Sequence, residues 1–452
     1  MVLLKRPSLL LALVLSGGRG VCGEGHPLVL IPGITGTGLL AKLSEESEYF
    51  SCRNQWEVET QDDRDDPPVL GGEVSVLGKG PVGVEVGQWY RTWLTLDTFR
   101  PPESHQECWY KVMGLRYQKP LMKWHSLGTW VDPPGVETRV DDGLHGVDYL
   151  DYLAGYGLSP TRYYHDLING VLAAFPHYQK NVNFTAFGYD WRLPPWQLDW
   201  NSLTKHIEDL HSRQGKPVVL ISHSMGSLWL NYYLNTYTTT RWKRQHIRAL
   251  ISINGANGGS FKTLRALISG YSPITFSWFD YLKIPQLISL PKVRTLCQTY
   301  PALFSLLPND VIYGPDSHVV TYKDSHGTQQ RYTLQNWTDT LPSNELKDQI
   351  ESVKTTLGNV GLQDPEVEYY CLYSIQNEQS TEFRYSYDTG TFDKDPSIQY
   401  TWGDGTIAAP SLTYCRAWDS TRMVKVFKGI DHMFALRDSA VISSVVNILS
   451  NL

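Results

Sequence analysis

A chain of 452 residues with 41% hydrophobic and 19% charged residues has the profile of a folded globular protein, not of a disordered one. Its net charge of −6 argues against a nucleic-acid partner and against a strong electrostatic grip on anionic membrane. The 15 Trp and 27 Tyr suit a packed core and a membrane interface equally, so composition alone does not separate the two.

Residues 1–23 read as a signal peptide. Lys5 and Arg6 precede the apolar run Leu9–Leu15, which falls short of the roughly 20 residues a bilayer span needs. The mature chain then begins near Glu24 and belongs to the secretory pathway, either secreted or in a lysosome-like lumen. If Cys22 leaves with the signal, Cys52, Cys108, Cys297, Cys371 and Cys415 remain, an odd set that leaves one thiol over. Four cysteines allow three pairings, and spacing does not choose among them. No CxxC spacing points to a metal, and no cofactor is implied. The sequons at Asn183 and Asn336 are compatible with glycosylation.

Along the chain, short apolar β-rich runs alternate with helical stretches, the rhythm of an α/β fold with a mainly parallel, doubly wound sheet. The runs are Leu28–Ile31, ending at Pro32-Gly33; Val218–Ile221, ending at Ser222; and Leu250–Ile253, ending in Gly255–Gly259. Tyr369–Ser374 and Val424–Phe427 are the late strands, and Val441–Leu449 is a closing amphipathic helix. Two regions break the rhythm: about 45–118, acidic and Pro/Gly-rich and then aromatic at Trp89–Trp93, and about 260–365, punctuated by prolines. Both read as insertions in a single domain spanning 24–452.

The strongest chemical signal is Ser222-His223-Ser224-Met225-Gly226, between a strand and a helix. A nucleophile elbow needs small residues two before and two after the serine, so that the helix can pass close to the strand. Ser222 replaces the usual glycine at the first of these positions. Other Ser-x-Gly triplets, at Ser16, Ser126 and Ser325, lack that context. A serine nucleophile needs a base, and the base needs an acid to fix its tautomer. Downstream, Asp404 lies between two glycines, which taken alone is an ordinary turn. His432 follows the last strand, where the third member of such a triad belongs. His223 adjoins the nucleophile, but its side chain should project away from Oγ. The backbone N–H of Met225 and one from Pro32–Gly36 are candidate oxyanion donors.

Taken in order, these segments resemble the lecithin:cholesterol acyltransferase family, which includes lysosomal phospholipases A and phospholipid:diacylglycerol acyltransferases. The resemblance rests on HPLVLIPGITGTGLLAKL at 26–43, CWY at 108–110, GYDWR at 188–192 and SHSMGS at 222–227. It continues through GANGG at 255–259, KTLRALISG at 262–270, GDGT at 403–406 and DHM at 431–433. It implies an α/β-hydrolase with Ser224, Asp404 and His432 as triad and Ile34 and Met225 as backbone oxyanion donors. It further implies a disulfide Cys52–Cys108 closing a membrane-binding insertion that carries Trp56, Trp89 and Trp93. A second disulfide, Cys371–Cys415, then leaves Cys297 unpaired, and the 260–365 insertion becomes a cap shaping the acyl tracks. Lysosomal members carry an acidic residue where this chain has Ile34, so an acidic pH optimum is not implied. Gly255-Ala256-Asn257 also lacks the family's Pro-Trp.

The expected activity is cleavage of a fatty-acyl ester of a glycerophospholipid through an acyl-serine, with transfer to water or to a lipid alcohol such as a sterol or diacylglycerol. The expected partners are that lipid donor, its acceptor, and a phospholipid membrane or lipoprotein surface. A general carboxylesterase or neutral-lipid lipase on the same fold is the alternative.

Overall fold

The computed structural model describes residues 25–44, 87–93, 104–120, 128–150, 161–271 and 289–452. Strands are numbered along the chain. The central sheet has six, all parallel: β1 (Leu28–Ile31), β7 (Phe184–Ala186), β8 (Val218–His223), β9 (Ile247–Ile253), β12 (Tyr369–Ile375) and β15 (Thr421–Lys428). Their spatial order is β15-β12-β9-β8-β1-β7. Every residue of β1 and β8 is buried, as expected of strands covered on both faces.

From β1 the chain first crosses to β7 on one side, then returns to β8 on the other. The winding direction therefore reverses between β1 and β8. A crevice opens at such a reversal beyond the carboxyl ends of the two strands.

Helices supply the outer layers. Trp200–Gln214 buries Trp200, Leu203, Ile207 and Leu210, one stripe at helical spacing. Each such side chain contributes roughly 1.5–3 kcal/mol when removed from water. Asp199 caps its start by accepting from the Ser202 N–H, and Gly215 ends it at φ 66°. The helix Met225–Thr236 is instead buried nearly all round. The closing helix runs Ser439–Ser450, buries Val441, Val445 and Ile448, and packs on His165–Ala174, where Ile442 lies over Gly170. Among the described residues no helix is long and apolar enough to cross a membrane.

Three smaller sheets flank this core. β2 (Leu39–Leu43), β3 (Trp89–Trp93) and β6 (Val136–Val140) pair antiparallel in the order β3-β2-β6, while β4 (Arg116–Gln118) and β5 (Thr129–Val131) form a hairpin. β10 (His318–Lys323), β11 (Gln329–Thr333), β13 (Thr381–Tyr387) and β14 (Ser397–Thr401) form the fourth sheet, in the order β11-β10-β13-β14. The layer built from the second expected insertion thus recruits two strands from beyond residue 365. An isolated two-stranded ribbon is marginal in water, and β13 and β14 complete the sheet that β10 and β11 begin.

Arg192 links the flanking pieces to the core. Its guanidinium is wholly buried and forms ion pairs with Asp190 at 2.7 Å and Asp132 at 3.0 Å. It also donates to the Met113 carbonyl at 3.1 Å and to Thr138 Oγ1 on β6 at 2.7 Å.

Candidate functional site

The end of β8 builds the site. Ser224 stands between β8 and the helix Met225–Thr236 with φ 55° and ψ −125°, a backbone conformation that L-residues with side chains seldom adopt. Tight packing enforces it. A β-carbon on Gly226 would meet the Ile31 and Pro32 carbonyl oxygens at 2.5 Å each, so the helix can leave the strand only if residue 226 has none. At the preceding small position, Ser222 is accommodated because its Oγ lies 2.8 Å from Ser227 Oγ, which is in turn 2.7 Å from Ser252 Oγ. This buried hydroxyl line replaces the expected glycine without leaving a polar atom unpaired.

Ser224 Oγ lies 2.9 Å from His432 Nε2, and His432 Nδ1 lies 2.6 Å from Asp404 Oδ2. Asp404 Oδ1 accepts from the N–H groups of Thr406, at 2.9 Å, and Ile407, at 2.7 Å. That turn needs Gly405 at φ +90°. The Asp404 carbonyl also accepts the His432 N–H at 2.8 Å, joining the two loops by backbone as well as side chain. The carboxylate fixes the imidazole with Nδ1 protonated, so Nε2 faces Ser224 as a base. All three residues are buried, Ser224 least so at 7% exposure. Such a line can remove the serine proton and return it to a leaving group.

The loop after β1 faces this line and is held from four sides. Tyr163 Oη accepts the Gly33 N–H at 2.8 Å, and Tyr164 Oη donates to the Ile31 carbonyl at 3.0 Å. Tyr189 Oη donates to the Pro32 carbonyl at 2.6 Å, and Trp93 Nε1 donates to the Thr35 carbonyl at 2.8 Å. Thr35 itself sits at φ 62°. The Gly33 N–H is therefore already spoken for, while Ile34 follows it in the loop. Met225 opens a helix, so its N–H lies in the first turn, where helical geometry offers no carbonyl.

Trp93 departs from its expected place on a membrane-facing surface. It is 2% exposed, packed against Trp109 and Trp191, and spends its indole N–H on the Thr35 carbonyl. A ring with its polar edge satisfied inside the protein is a core residue. Trp89, at the other end of the same strand, is half-buried between Lys42 and Arg139, whose cationic groups lie 4.8 and 4.2 Å from its ring centre. Trp56 and Cys52 lie outside the described residues, as does the signal segment. Cys371 and Cys415 form a disulfide with Cα atoms 6.4 Å apart, and Cys297 is free and buried. Burial pushes the Cys297 thiol up to about 12, so it is inert at neutral pH. Asn336 is exposed, whereas Asn183 is half-buried and donates to the His177 carbonyl at 3.1 Å.

Comparison with known proteins identifies the family. The sequence profile of the family described as Lecithin:cholesterol acyltransferase matches residues 89–360. The chain belongs to that family. The lysosomal phospholipase A and acyltransferase of Bos taurus is 26% identical over 98% of this chain and 96% of its own length. The phosphatidylcholine-sterol acyltransferase of Gallus gallus is 30% identical over 76% of this chain and 78% of its own. Among solved structures, one titled "The crystal structure of Tle4-Tli4 complex" covers 94% of this chain and 98% of its own, with TM-score 0.47 and 13% identity. Within the family frame the residues that sequence reasoning passed over are the loop-holding Tyr163, Tyr164 and Tyr189. Only Tyr189 lies in a segment that carried the resemblance, GYDWR at 188–192, and nothing local to it points to the loop after β1.

Proposed function

We propose that this lecithin:cholesterol acyltransferase-family enzyme cleaves a fatty-acyl ester of a glycerophospholipid through an acyl-serine and passes the acyl group to water or to a lipid alcohol. The observation that carries this reading is the unbroken line from Ser224 Oγ through His432 to Asp404. In the first half, His432 Nε2 takes the Ser224 proton while Oγ bonds to the ester carbon. The oxyanion is held by the Ile34 and Met225 N–H groups. The carbon–oxygen bond to the lysolipid then breaks, and His432 returns the proton to the departing oxygen. In the second half, water or an alcohol gives its proton to His432 as its oxygen attacks the acyl-serine. The collapse restores Ser224 and releases a fatty acid or a new ester.

The names of the relatives support a phospholipid donor and either class of acceptor. The proposed place of encounter is a phospholipid membrane or lipoprotein surface. In this reading residues 45–118 form a membrane-binding insertion, with Trp56 and Trp89 as its candidate contacts, and 260–365 form a cap over the acyl tracks. A structural disulfide is consistent with a lumenal or extracellular compartment.

The test offers purified protein phosphatidylcholine liposomes containing a sterol, a diacylglycerol or a long-chain alcohol. Mass spectrometry follows free fatty acid and acylated alcohol, with Ser224→Ala as control. Free acid alone defines a phospholipase A; an ester that rises with one alcohol defines an acyltransferase and names its acceptor. Neither product in any mixture overturns the phospholipid assignment in favour of a plain esterase.

A further inference from the structure

His223 is fully buried and is not part of the Ser224–His432–Asp404 line. Yet the ring centres of His223 and His432 are only 4.7 Å apart. The reason is that His223 Nε2 lies 3.1 Å from the main-chain carbonyl oxygen of His432. At its other end, His223 Nδ1 lies 2.7 Å from Tyr163 Oη, which accepts the Gly33 N–H at 2.8 Å.

The direction of every bond in this chain is fixed by chemistry. A carbonyl oxygen only accepts, so His223 Nε2 carries the ring's proton and donates it to His432. Nδ1 is then the acceptor, and the single proton of Tyr163 Oη points to it. Gly33 N–H closes the other end. A neutral imidazole of one defined tautomer thus bridges the loop after β1 and the backbone of the triad histidine. Burial, with His432 nearby, holds its pKa well below the usual histidine range, so the bridge stays neutral at working pH.

A second donor converges on the same carbonyl. Asn254 Nδ2 donates to the His432 oxygen at 3.1 Å, and its Oδ1 accepts from the Ser374 N–H and hydroxyl at 2.8 and 3.1 Å. Asn254 sits at φ 47° just beyond β9. His432 is therefore gripped at three atoms: Nδ1 by Asp404, N–H by the Asp404 carbonyl, and its own carbonyl by His223 and Asn254.

We infer that His223 is a positioning residue that sets the reach of His432 Nε2 toward Ser224 by holding the His432 carbonyl and tying it to the Gly33 loop. This rests on the triad reading proposed above. Because proton transfer is steep in distance, a shift of about 1 Å at the base costs on the order of a hundredfold in rate. His223 is wholly buried and offers a substrate no surface, so the loss is expected on the chemical step.

The test compares His223→Gln with His223→Asn in the full-length protein. A glutamine amide reaches about as far as imidazole Nε2 and keeps a donor for the His432 carbonyl. An asparagine amide stops near the place of Nδ1, serving Tyr163 but not His432. Two readouts need no lipid surface: the rate constant for Ser224 labelling by a fluorophosphonate, and kcat and KM for a short soluble ester. The expected result is labelling and kcat about 10–100-fold lower in His223→Asn, with KM within about twofold, and near-parent values in His223→Gln. Tyr163→Phe, which removes the hydroxyl that orients Nδ1, serves as the second probe if His223→Asn does not fold, and the same drop is expected. Parent-like labelling in a folded His223→Asn, or in Tyr163→Phe, overturns the inference. So does an equal loss in Gln and Asn variants, which means that only a buried side chain was missed. Ser224→Ala separates the two levels. If it still labels at the active site, the triad reading itself has failed; if it is silent while His223→Asn behaves as the parent, only the positioning role has.

Discussion

Gly33 and Ser224 are in such close contact that a β-carbon on Gly33 would lie 2.8 Å from the β-carbon of Ser224. The same carbon would come within 3.1 Å of Tyr163 Oη, the acceptor of the Gly33 N–H. Gly33→Ala therefore pushes the proposed oxyanion loop away from the nucleophile. Loss of one well-placed oxyanion donor costs about 100–1,000-fold in kcat. The expected outcome is a fall in that range on a soluble ester, with an unchanged far-ultraviolet circular dichroism spectrum.

Trp93 gives a prediction opposite in sense to that of a membrane foot. Trp93→Phe keeps most of the packing against Trp109 and Trp191 but withdraws the donor from the Thr35 carbonyl. An unpaired buried acceptor costs about 1–3 kcal/mol, enough to let the loop after β1 relax. Turnover of a soluble ester should drop about tenfold, while co-sedimentation with phosphatidylcholine liposomes stays at the parent level. Loss of liposome binding with intact esterase activity would return Trp93 to the membrane.

Arg192 carries the stability of the junction between the core and its flanking sheets. Arg192→Met preserves the stem but leaves Asp190 and Asp132 without their buried counter-ion. Breaking one side of a buried ion pair costs about 3–5 kcal/mol. Chemical denaturation should show the midpoint fall accordingly. A second, earlier transition would show that the flanking sheets had come loose from the core.

The buried histidines set a direction for the pH dependence of stability. Burial lowers the pKa of His223 far below its usual value, and lowers those of His26 and His206 as well. The unfolded chain takes up protons near pH 6.5 that the folded protein refuses. The stability these groups contribute is complete above pH 6.5 and is lost as pH falls toward their folded values. For His223 the loss approaches about 1.4 kcal/mol per pH unit in that window. The melting temperature should therefore decline from pH 7.5 to pH 5, and His223→Gln should flatten that decline.

The elbow was legible in the sequence because its constraint is local: a strand, a small residue, a serine, a glycine and a helix within a few positions. β1, β8 and β9 were legible because parallel strands covered on both faces read as unbroken apolar runs, whereas the three-residue β7 was passed over. Asp404 was not legible by itself. An Asp between glycines is a turn signal anywhere, and only the resemblance to a known family raised it above that. β13 was missed although it alternates, with Phe383, Tyr385 and Tyr387 on one face and Glu382, Arg384 and Ser386 on the other. Trp93 was misplaced because indoles serve cores and interfaces equally, and only the Thr35 carbonyl decides. His223 was set aside on the premise that its side chain should project away from Ser224 Oγ. The premise stopped short because the backbone of His432 comes round to meet it, a contact across 209 positions that no local pattern encodes.

The bond between Cys371 and Cys415 closes a stretch of chain, 44 residues apart at its ends, within which Asp404 lies. One end is fixed in β12 beside the elbow's sheet neighbour β9, the other in the short turn after the Asp404 loop. Closing a segment of this length restricts the unfolded chain by about 4 kcal/mol. The serine and the histidine stand on strands and loops outside that segment. Protein made in a reducing cytosol would thus complete its elbow yet hold its acidic arm only by hydrogen bonds. The disulfide thus acts on the acidic arm of the triad alone, as a covalent brace on the segment that presents Asp404 to His432.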